Sequence, residues 1–511
     1  MSSIESAPRG LLALAAATPP DRDRYVDFLR AFSILAVVAG HWLIAVVVWR
    51  DGVVEGYSAL EAIQGLWIVT WVFQVMPLFF FVGGFANLRT WRSELKAGRG
   101  YAAFVHGRMV RLMRPTLVFL GLGLAVTVTL DALNVADNVV FPASELITRP
   151  LWFLGVYMIV VTLAPAMIAI HDRLGVWAVV GLVGVAIGVD VVRFGLDVNA
   201  AGYLNYPVVW LLAHQMGFLY ADGRLAGRTG PWMAPLGLLG MAALINLGPY
   251  PASMVGLSTD EFSNMDPPTL AIVALIVWQV GGAMMLRAPI SRWLARLRVW
   301  AGVIYVNSVI MTIFLWHLTA MLLGIGVLYP LGWPQPEVGT ASWWALRPVW
   351  LAVLLVILSV FVLGLGRFEQ RGLGRRRPAI GAGSGLAAVV AATLIVWGVL
   401  GFALGGMHQL FSIAGTELLV FQLNPFQNIL HLVLGGIVVR ASIQSRAAAR
   451  LALIGAAAGL LSLAIIGWAD PEANRLAANQ AANLLHAALA LLTLLAIKTK
   501  EPRSMTESRS L

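Results

Sequence analysis

Asp27-Phe28-Leu29-Arg30-Ala31-Phe32-Ser33-Ile34-Leu35-Ala36-Val37-Val38-Ala39-Gly40-His41-Trp42 opens the first long hydrophobic stretch of the chain. It is apolar enough for a membrane helix, yet it carries Asp27, Arg30 and His41. Arg30 and His41 are eleven residues apart. At about 100° per residue that is close to three turns, so both point to one side of a helix, about 16 Å apart along its axis. Asp27 falls within about 40° of the same side. An ionisable residue in a membrane helix costs about 2.5–3.5 kcal/mol or more on insertion scales, so it reads by default as functional. The structural alternative is a histidine bonded to a neighbouring helix and an arginine snorkelling to the headgroups.

The rest of the composition agrees with a membrane setting. Of 511 residues, 59% are hydrophobic and 12% charged, with mean hydropathy +0.82. Soluble domains run nearer to about 25% charged. The chain reads as an all-α polytopic membrane protein. It has no cysteine, which excludes disulfides, thiolate metal sites and a cysteine acyl-enzyme. No cleavable signal peptide is expected. The apolar run from Leu11 to Ala17 is short, and Pro19, Pro20 and charged residues follow it. Residues 1–24 read as a mobile cytoplasmic tail.

Apolar stretches of about 17–25 residues mark about fourteen spans. They include 28–49, 63–88, 206–221 and 301–329. Cytoplasmic loops should carry the excess of Lys and Arg. With the N-terminus inside, of 35 basic residues only Arg50, Arg149, Arg193, Arg347 and Arg475 fall outside. The outer loops instead carry acids such as Asp260, Glu261 and Asp266. Both termini are then cytoplasmic. The net charge of +10 is accounted for by topology, so nucleic acid is not an expected partner. A basic, glycine-rich linker at 367–384 contains Arg367, Arg371, Arg375, Arg376 and Arg377. It separates a ten-span domain at 25–366 from a four-span domain at 385–500, and 501–511 form a second cytoplasmic tail.

Five sequence blocks resemble the acyltransferase-3 family of integral membrane acyltransferases. The first is Asp27-Phe28-Leu29-Arg30 with His41 following, like the family's Arg-x10-His pattern. The second is Met76-Pro77-Leu78-Phe79-Phe80-Phe81-Val82-Gly83-Gly84-Phe85, where Gly83 replaces the family's usual serine. The third is Arg108-x-x-Arg111-x-x-Arg114-Pro115, the fourth Leu151-Trp152-Phe153-Leu154 with Tyr157, and the fifth Phe314-Leu315-Trp316-His317. They occur in family order over residues 22–370. With the shared face of the first helix, this resemblance turns the reading of His41 towards function. It implies transfer of an acyl group, usually acetyl, from cytoplasmic acyl-CoA to a hydroxyl on an extracytoplasmic or membrane-bound acceptor. Typical acceptors are glycans, antibiotic sugars and lipid-linked precursors. The membrane implied is a bacterial inner (plasma) membrane, and a homo-oligomer or an envelope-assembly partner is compatible with it.

The residues suit that chemistry. Attack of an alcohol on a thioester needs a base for the hydroxyl proton and positive charge near the developing oxyanion. His41, expected past the middle of the membrane, is the candidate base. Asp27 and Arg30 could orient a neighbouring helix or hold the donor. Without cysteine, direct transfer is simpler than a thiol relay; a histidine or serine intermediate stays open. His214 and His317 fall near the middle of their spans and could line a polar chamber with His41 and contact substrate, or simply bridge helices. Arg108, Arg111 and Arg114 share one helix flank and could bind the CoA phosphates, or serve as ordinary positive-inside charge. Gln74, Gln279 and Asn307 read as helix glue, and Gly83 and Gly84 as sites of close helix packing. No resident metal is expected.

The last four spans contain a repeat. Asn424-x3-Asn428-x2-His431 matches Asn479-x3-Asn483-x2-His486. The spacing puts all three polar residues of each copy on one helix face. The region resembles a small family of four-span bacterial membrane proteins of unknown function. Paired polar ladders between helices, or a second site for metal, haem or substrate, are the two readings. For the whole chain the alternatives to an O-acyltransferase are a transporter or flippase and a non-catalytic membrane scaffold or sensor. Transporters usually show related halves, and the ten-span core shows no such symmetry. The abundance of Ala, Gly, Val, Arg and Trp suggests a GC-rich bacterium.

Overall fold

The apolar runs form helices because only a helix satisfies every backbone polar group within a single segment away from water. The computed structural model describes residues 10–50, 53–225, 229–370, 385–411, 415–418, 420–469 and 479–498. Most of the expected linker with Arg371, Arg375, Arg376 and Arg377, the C-terminal tail, Arg475 and residues 1–9 lie outside the described residues. Among the described residues, 12 helices are long and apolar enough to cross a membrane, and Pro425–Ala441 is a shorter apolar one. Among the described residues the strands form two short antiparallel pairs, Ala45–Arg50 with Val53–Ser58 and Thr416–Leu418 with Phe421–Leu423. The protein is an all-α polytopic membrane protein.

The contacts divide the chain into two compact units: Met1–Arg89 with Ala166–Gln370, and Thr90–Pro165 with Arg371–Leu511. The division falls inside the helices Met76–Lys96 and Leu151–Leu174. The stretch 90–165 therefore groups with the C-terminal helices.

In the first unit, three elements depart from the continuous helices expected. Helix Arg24–Ile44 begins at Asp23, whose side chain accepts from the N–H of Tyr25 and Val26 at 3.0 and 3.2 Å. It stops at Ile44 instead of running to residue 49. Ala45-Val46-Val47-Val48-Trp49-Arg50, rich in β-branched valine, forms a strand whose Ala45 lies opposite Ser58. His41 consequently lies in the last turn of its helix. The second stretch, 63–88, is broken at Gln74 and Val75, between Val69–Phe73 and Met76–Lys96. Pro77, in the first turn, suits a helix start. Gln279 donates to the carbonyls of Trp71 and Gln74, each at 2.9 Å, and so satisfies oxygens released by the break. The stretch 301–329 splits at Val309 into Leu297–Ser308 and Ile310–Leu328. Glu369 caps the second piece, accepting from Met311 N, Thr312 N and Thr312 Oγ1 at 3.1, 2.9 and 2.9 Å. A carboxylate there satisfies orphan donors and complements the helix dipole. Glu369→Ala is expected to destabilise the unit by about 1–3 kcal/mol through those unmet donors, seen as a lower midpoint of thermal unfolding in detergent.

Of the segment expected as a mobile tail, the described residues 10–24 are folded. Leu11–Ala16 is a short helix packed against Leu297–Ser308, and Thr18 accepts from Trp300 Nε1 at 2.7 Å.

In the second unit, Gly385–Gly405 packs on Pro425–Ala441, and Arg446–Ala469 on Gln480–Lys498. Here the repeat becomes three-dimensional. Asn424 and Asn479 each accept from the N–H three residues on, at 2.9 Å. A Cβ on Gly401 would sit 2.0 Å from Asn428 Oδ1, and one on Gly467 2.0 Å from Asn483 Oδ1. Each inner asparagine thus fills the space above a glycine of the preceding helix. The two histidines meet, His431 Nε2 to His486 Nε2 at 3.0 Å, both buried. This is the geometry of paired polar ladders.

Candidate active site

The helix Arg24–Ile44 presents His41 one turn from its end, and Ile310–Leu328 presents His317 within its third turn. Their rings are near-parallel, 20° apart, and His41 Nδ1 lies 2.8 Å from His317 Nε2. His317 is fully buried. Its Nδ1 lies 2.6 Å from the carbonyl oxygen of Phe314, one turn back on its own helix. Trp42 Nε1 donates to the carbonyl of His317 at 2.9 Å, fastening the two helices beside the pair.

These contacts assign the ring protons. A carbonyl oxygen only accepts, so His317 Nδ1 carries its hydrogen. In neutral His317 the Nε2 then holds a lone pair and accepts from His41 Nδ1–H. His41 in turn carries the basic lone pair on Nε2. Chemically this is an imidazole base oriented by a second group, which is the logic of an activated general base. When His41 takes up a proton, its Nδ1–H bond to His317 becomes charge-assisted and stronger.

Asp27 and Arg30 belong to a separate cluster near the start of the same helix. Arg30 Nη1 lies 3.2 Å from Asp27 Oδ1, and Arg22 Nε lies 2.6 Å from Asp27 Oδ2. Asn307 donates to the Asp27 carbonyl at 2.9 Å. The Asp27 carboxylate is thus spent on two guanidinium groups, and helix rise puts Arg30 about 16 Å from His41 along the axis. The cluster ties the helix start to Leu297–Ser308.

His214 is fully buried and bonded elsewhere: its Nε2 lies 2.9 Å from Asn87 Nδ2, joining Asn205–Ala221 to Met76–Lys96. The same two helices approach backbone to backbone at Gly84 and Gly217. A Cβ on Gly84 would lie 2.0 Å from the His214 oxygen, and one on Gly217 2.1 Å from the Phe81 oxygen. The glycine of the Phe-rich block is thus a packing position. Arg108, Arg111 and Arg114 lie on Tyr101–Ala132 in the second unit. Arg108 donates to Thr90 at 2.7 Å, and Arg111 is exposed.

Sequence reasoning missed Trp42 and the Phe314 carbonyl, which fix the histidine pair, and Glu369, which fixes the His317 helix. Trp42 had a signal, since it adjoins His41. A backbone acceptor has none. It also missed His408, whose Nε2 lies 3.3 Å from Asp137 and 3.5 Å from Asp131 in the second unit. Among the described residues one trio has metal-ligand proximity, His171 with Asp172 and Asp222. His171 is already engaged through both nitrogens, to Asp222 at 3.0 Å and Gln215 at 2.7 Å, which suffices to explain it as a helix tie.

Comparison with known protein families matches an acyltransferase domain over residues 23–366 and a domain of unknown function, DUF4383, over 385–497. No curated relative and no solved structure matches the chain. The acyltransferase match spans most of the chain and contains all five blocks noted above, the histidine pair included. The chain therefore belongs to the acyltransferase-3 family, carries a DUF4383 domain after it, and is a membrane acyltransferase.

Proposed function

We propose that the protein is a membrane O-acyltransferase, most simply an acetyltransferase, in a bacterial inner membrane. The donor is cytoplasmic acyl-CoA, and the acceptor a hydroxyl of an extracytoplasmic or lipid-linked glycan. The observation that carries this reading is the His41–His317 contact, with its proton order set by Phe314, inside the acyltransferase domain.

In this reading His41 Nε2 removes the proton of the acceptor hydroxyl as its oxygen attacks the thioester carbonyl. The carbon–oxygen bond forms, the carbon–sulfur bond breaks, and the proton passes from His41 to the departing CoA sulfur. His317 touches the base and not the substrate: it orients His41 and accepts its Nδ1–H while the imidazolium exists. Asp27 and Arg30 act as positioning residues. Arg108, Arg111 and Arg114 are assigned to the CoA phosphates by their chemistry, since guanidinium matches phosphate bidentately.

The test is transfer of radiolabelled acetyl from acetyl-CoA into extracted envelope acceptors, using membranes with and without the protein. Label in a hydroxyl ester, released by mild base, is expected only with the protein; label in neither preparation overturns the reading. Among variants, His317→Leu is expected to lower the rate by about 10–100-fold, the usual cost of removing a group that orients a functional imidazole. His317→Gln places a carbonyl acceptor near the lost Nε2 and is expected to recover much of that loss. Equal loss in both variants would show that His317 contributes packing and not hydrogen bonding.

The helix breaks at Gln74 and Val309 are features that transporters also show. Here both are stitched by side chains, Gln279 and Glu369, which favours a fixed site over a moving gate.

A further inference from the structure

The strand that follows the His41 helix walls a pocket unrelated to the histidine contacts. Val46, Val47 and Val48 form one side. Tyr329, Trp333, Gln335, Trp343, Arg347 and Trp350 provide the polar and aromatic lining. Trp343, Arg347 and Trp350 are spaced i, i+4, i+7 on helix Ala341–Gln370 and therefore share a face. No acidic residue lines the pocket.

The polar groups of the lining divide sharply. Gln335 is committed to the wall, accepting from Trp49 N at 2.7 Å and donating to Trp49 O at 3.2 Å. The Tyr329 hydroxyl donates to Val47 O at 3.1 Å. Arg347 is different. Its guanidinium lies 3.9 Å from the centre of the Trp343 ring, and among the described residues it makes no hydrogen bond and no ion pair. Its guanidinium is half-buried, and its donor fork stays within reach of a group entering the pocket from solvent. Placement sharpens the point: by the distribution of basic residues, Arg347 is one of few cations expected on the outer side, where topology does not call for it. Size limits the occupant. The pocket is partly open, and its inner space of about 30 Å³ suits one small polar group, with the bulk of a sugar or nucleotide left at the mouth.

We propose that this pocket binds a single oxyanion group, a carboxylate or a phosphate, gripped by the Arg347 fork over Trp343, with the rest of the ligand outside its mouth. The guanidinium matches either oxyanion through two parallel hydrogen bonds. Val46 is five residues from His41 along the chain, so an acceptor anchored here by its acidic group would be held on the histidine side of the unit. That identification of the ligand with the acceptor rests on the proposed transferase function; oxyanion binding does not.

The experiment is titration calorimetry on the full-length protein in phosphatidylcholine nanodiscs, with glucose, glucuronic acid and glucose 6-phosphate as probes. The wild type is expected to bind the two acidic probes at least about tenfold more tightly than glucose. Arg347→Gln is expected to abolish that preference, and Arg347→Lys to keep only part of it, because the charge stays and the fork is lost. Repeating the titration in discs doped with phosphatidylglycerol separates two sources of the group. Displacement of the acidic probes by the lipid supports the site with a headgroup phosphate as its occupant; undiminished binding supports it with an acidic glycan. Absent binding, equal affinity for glucose and the acids, or an unchanged preference in Arg347→Gln overturns the proposal. The wild-type comparison decides the matter even where a variant fails to fold. Acyl transfer is not read here, so failure of the pocket and failure of the transferase reading are told apart.

Discussion

His41→Ala is expected to lower acyl transfer by about 10²–10⁴-fold, the range a positioned general base contributes, and to leave the protein folded. In barrier height that is about 3–5 kcal/mol. The expectation comes from the direction of the hydrogen bonds. Phe314 fixes the proton on His317 Nδ1, His317 therefore accepts from His41 Nδ1, and the basic lone pair of His41 is confined to Nε2. Alanine removes the proposed base, but Trp42 still bonds the His317 carbonyl and fastens the two helices. Initial rates with labelled acetyl-CoA, at matched protein levels in membranes, check the prediction. A variant that transfers at the wild-type rate while folding normally would remove His41 from the chemistry. The effect of His317→Leu should be smaller, because in the proposed mechanism His317 acts only through His41.

Gly84→Ala is expected to produce the largest loss of stability of any single-methyl addition in the first unit. The added Cβ would meet the carbonyl oxygen and carbon of His214 at 2.0 and 2.8 Å, both backbone atoms that cannot rotate away. The helices Met76–Lys96 and Asn205–Ala221 must separate, and the reciprocal approach at Gly217 opens with them. Overpacking of this kind costs about 1–3 kcal/mol and occasionally more; a backbone clash belongs at the top of that range. Asn87 and His214 bridge the same two helices, so separation also strains a buried hydrogen bond. Gly282→Ala is the control. Its Cβ would find open space in helix Leu270–Leu294, and alanine there gains about 1 kcal/mol of helix propensity over glycine. Thermal unfolding of the purified protein in one detergent should rank Gly84→Ala well below wild type and Gly282→Ala at or above it. The reverse order would mean that the helices are not in backbone contact at Gly84.

Much of the architecture was legible because membrane helices announce themselves by length and apolarity, without reference to any partner. The breaks were not. Around Gln74 and Val309 the chain stays apolar, so hydropathy runs on without interruption. What permits each break is a distant side chain, Gln279 or Glu369, that takes over the freed backbone groups. The end of the first helix at Ile44 was misjudged for a related reason. Val46-Val47-Val48 is as apolar as the helix before it, and only pairing with Val53–Ser58 makes it a strand.

The site divides the same way. By itself the sequence determined a membrane protein with an acyltransferase domain, and it singled out Asp27, Arg30, His41, His214 and His317 as ionisable or polar residues in apolar surroundings. Their cost away from water is a property of each residue and can be read one at a time. Which of them act together was decided by tertiary structure alone. His317 meets His41 across 276 positions of sequence, His214 is drawn to Asn87, and Asp27 and Arg30 satisfy one another. Hydrogen bonds depend on distance and direction between helices, and helix packing sets both. A linear spacing fixes a residue's own face and leaves open what that face will touch.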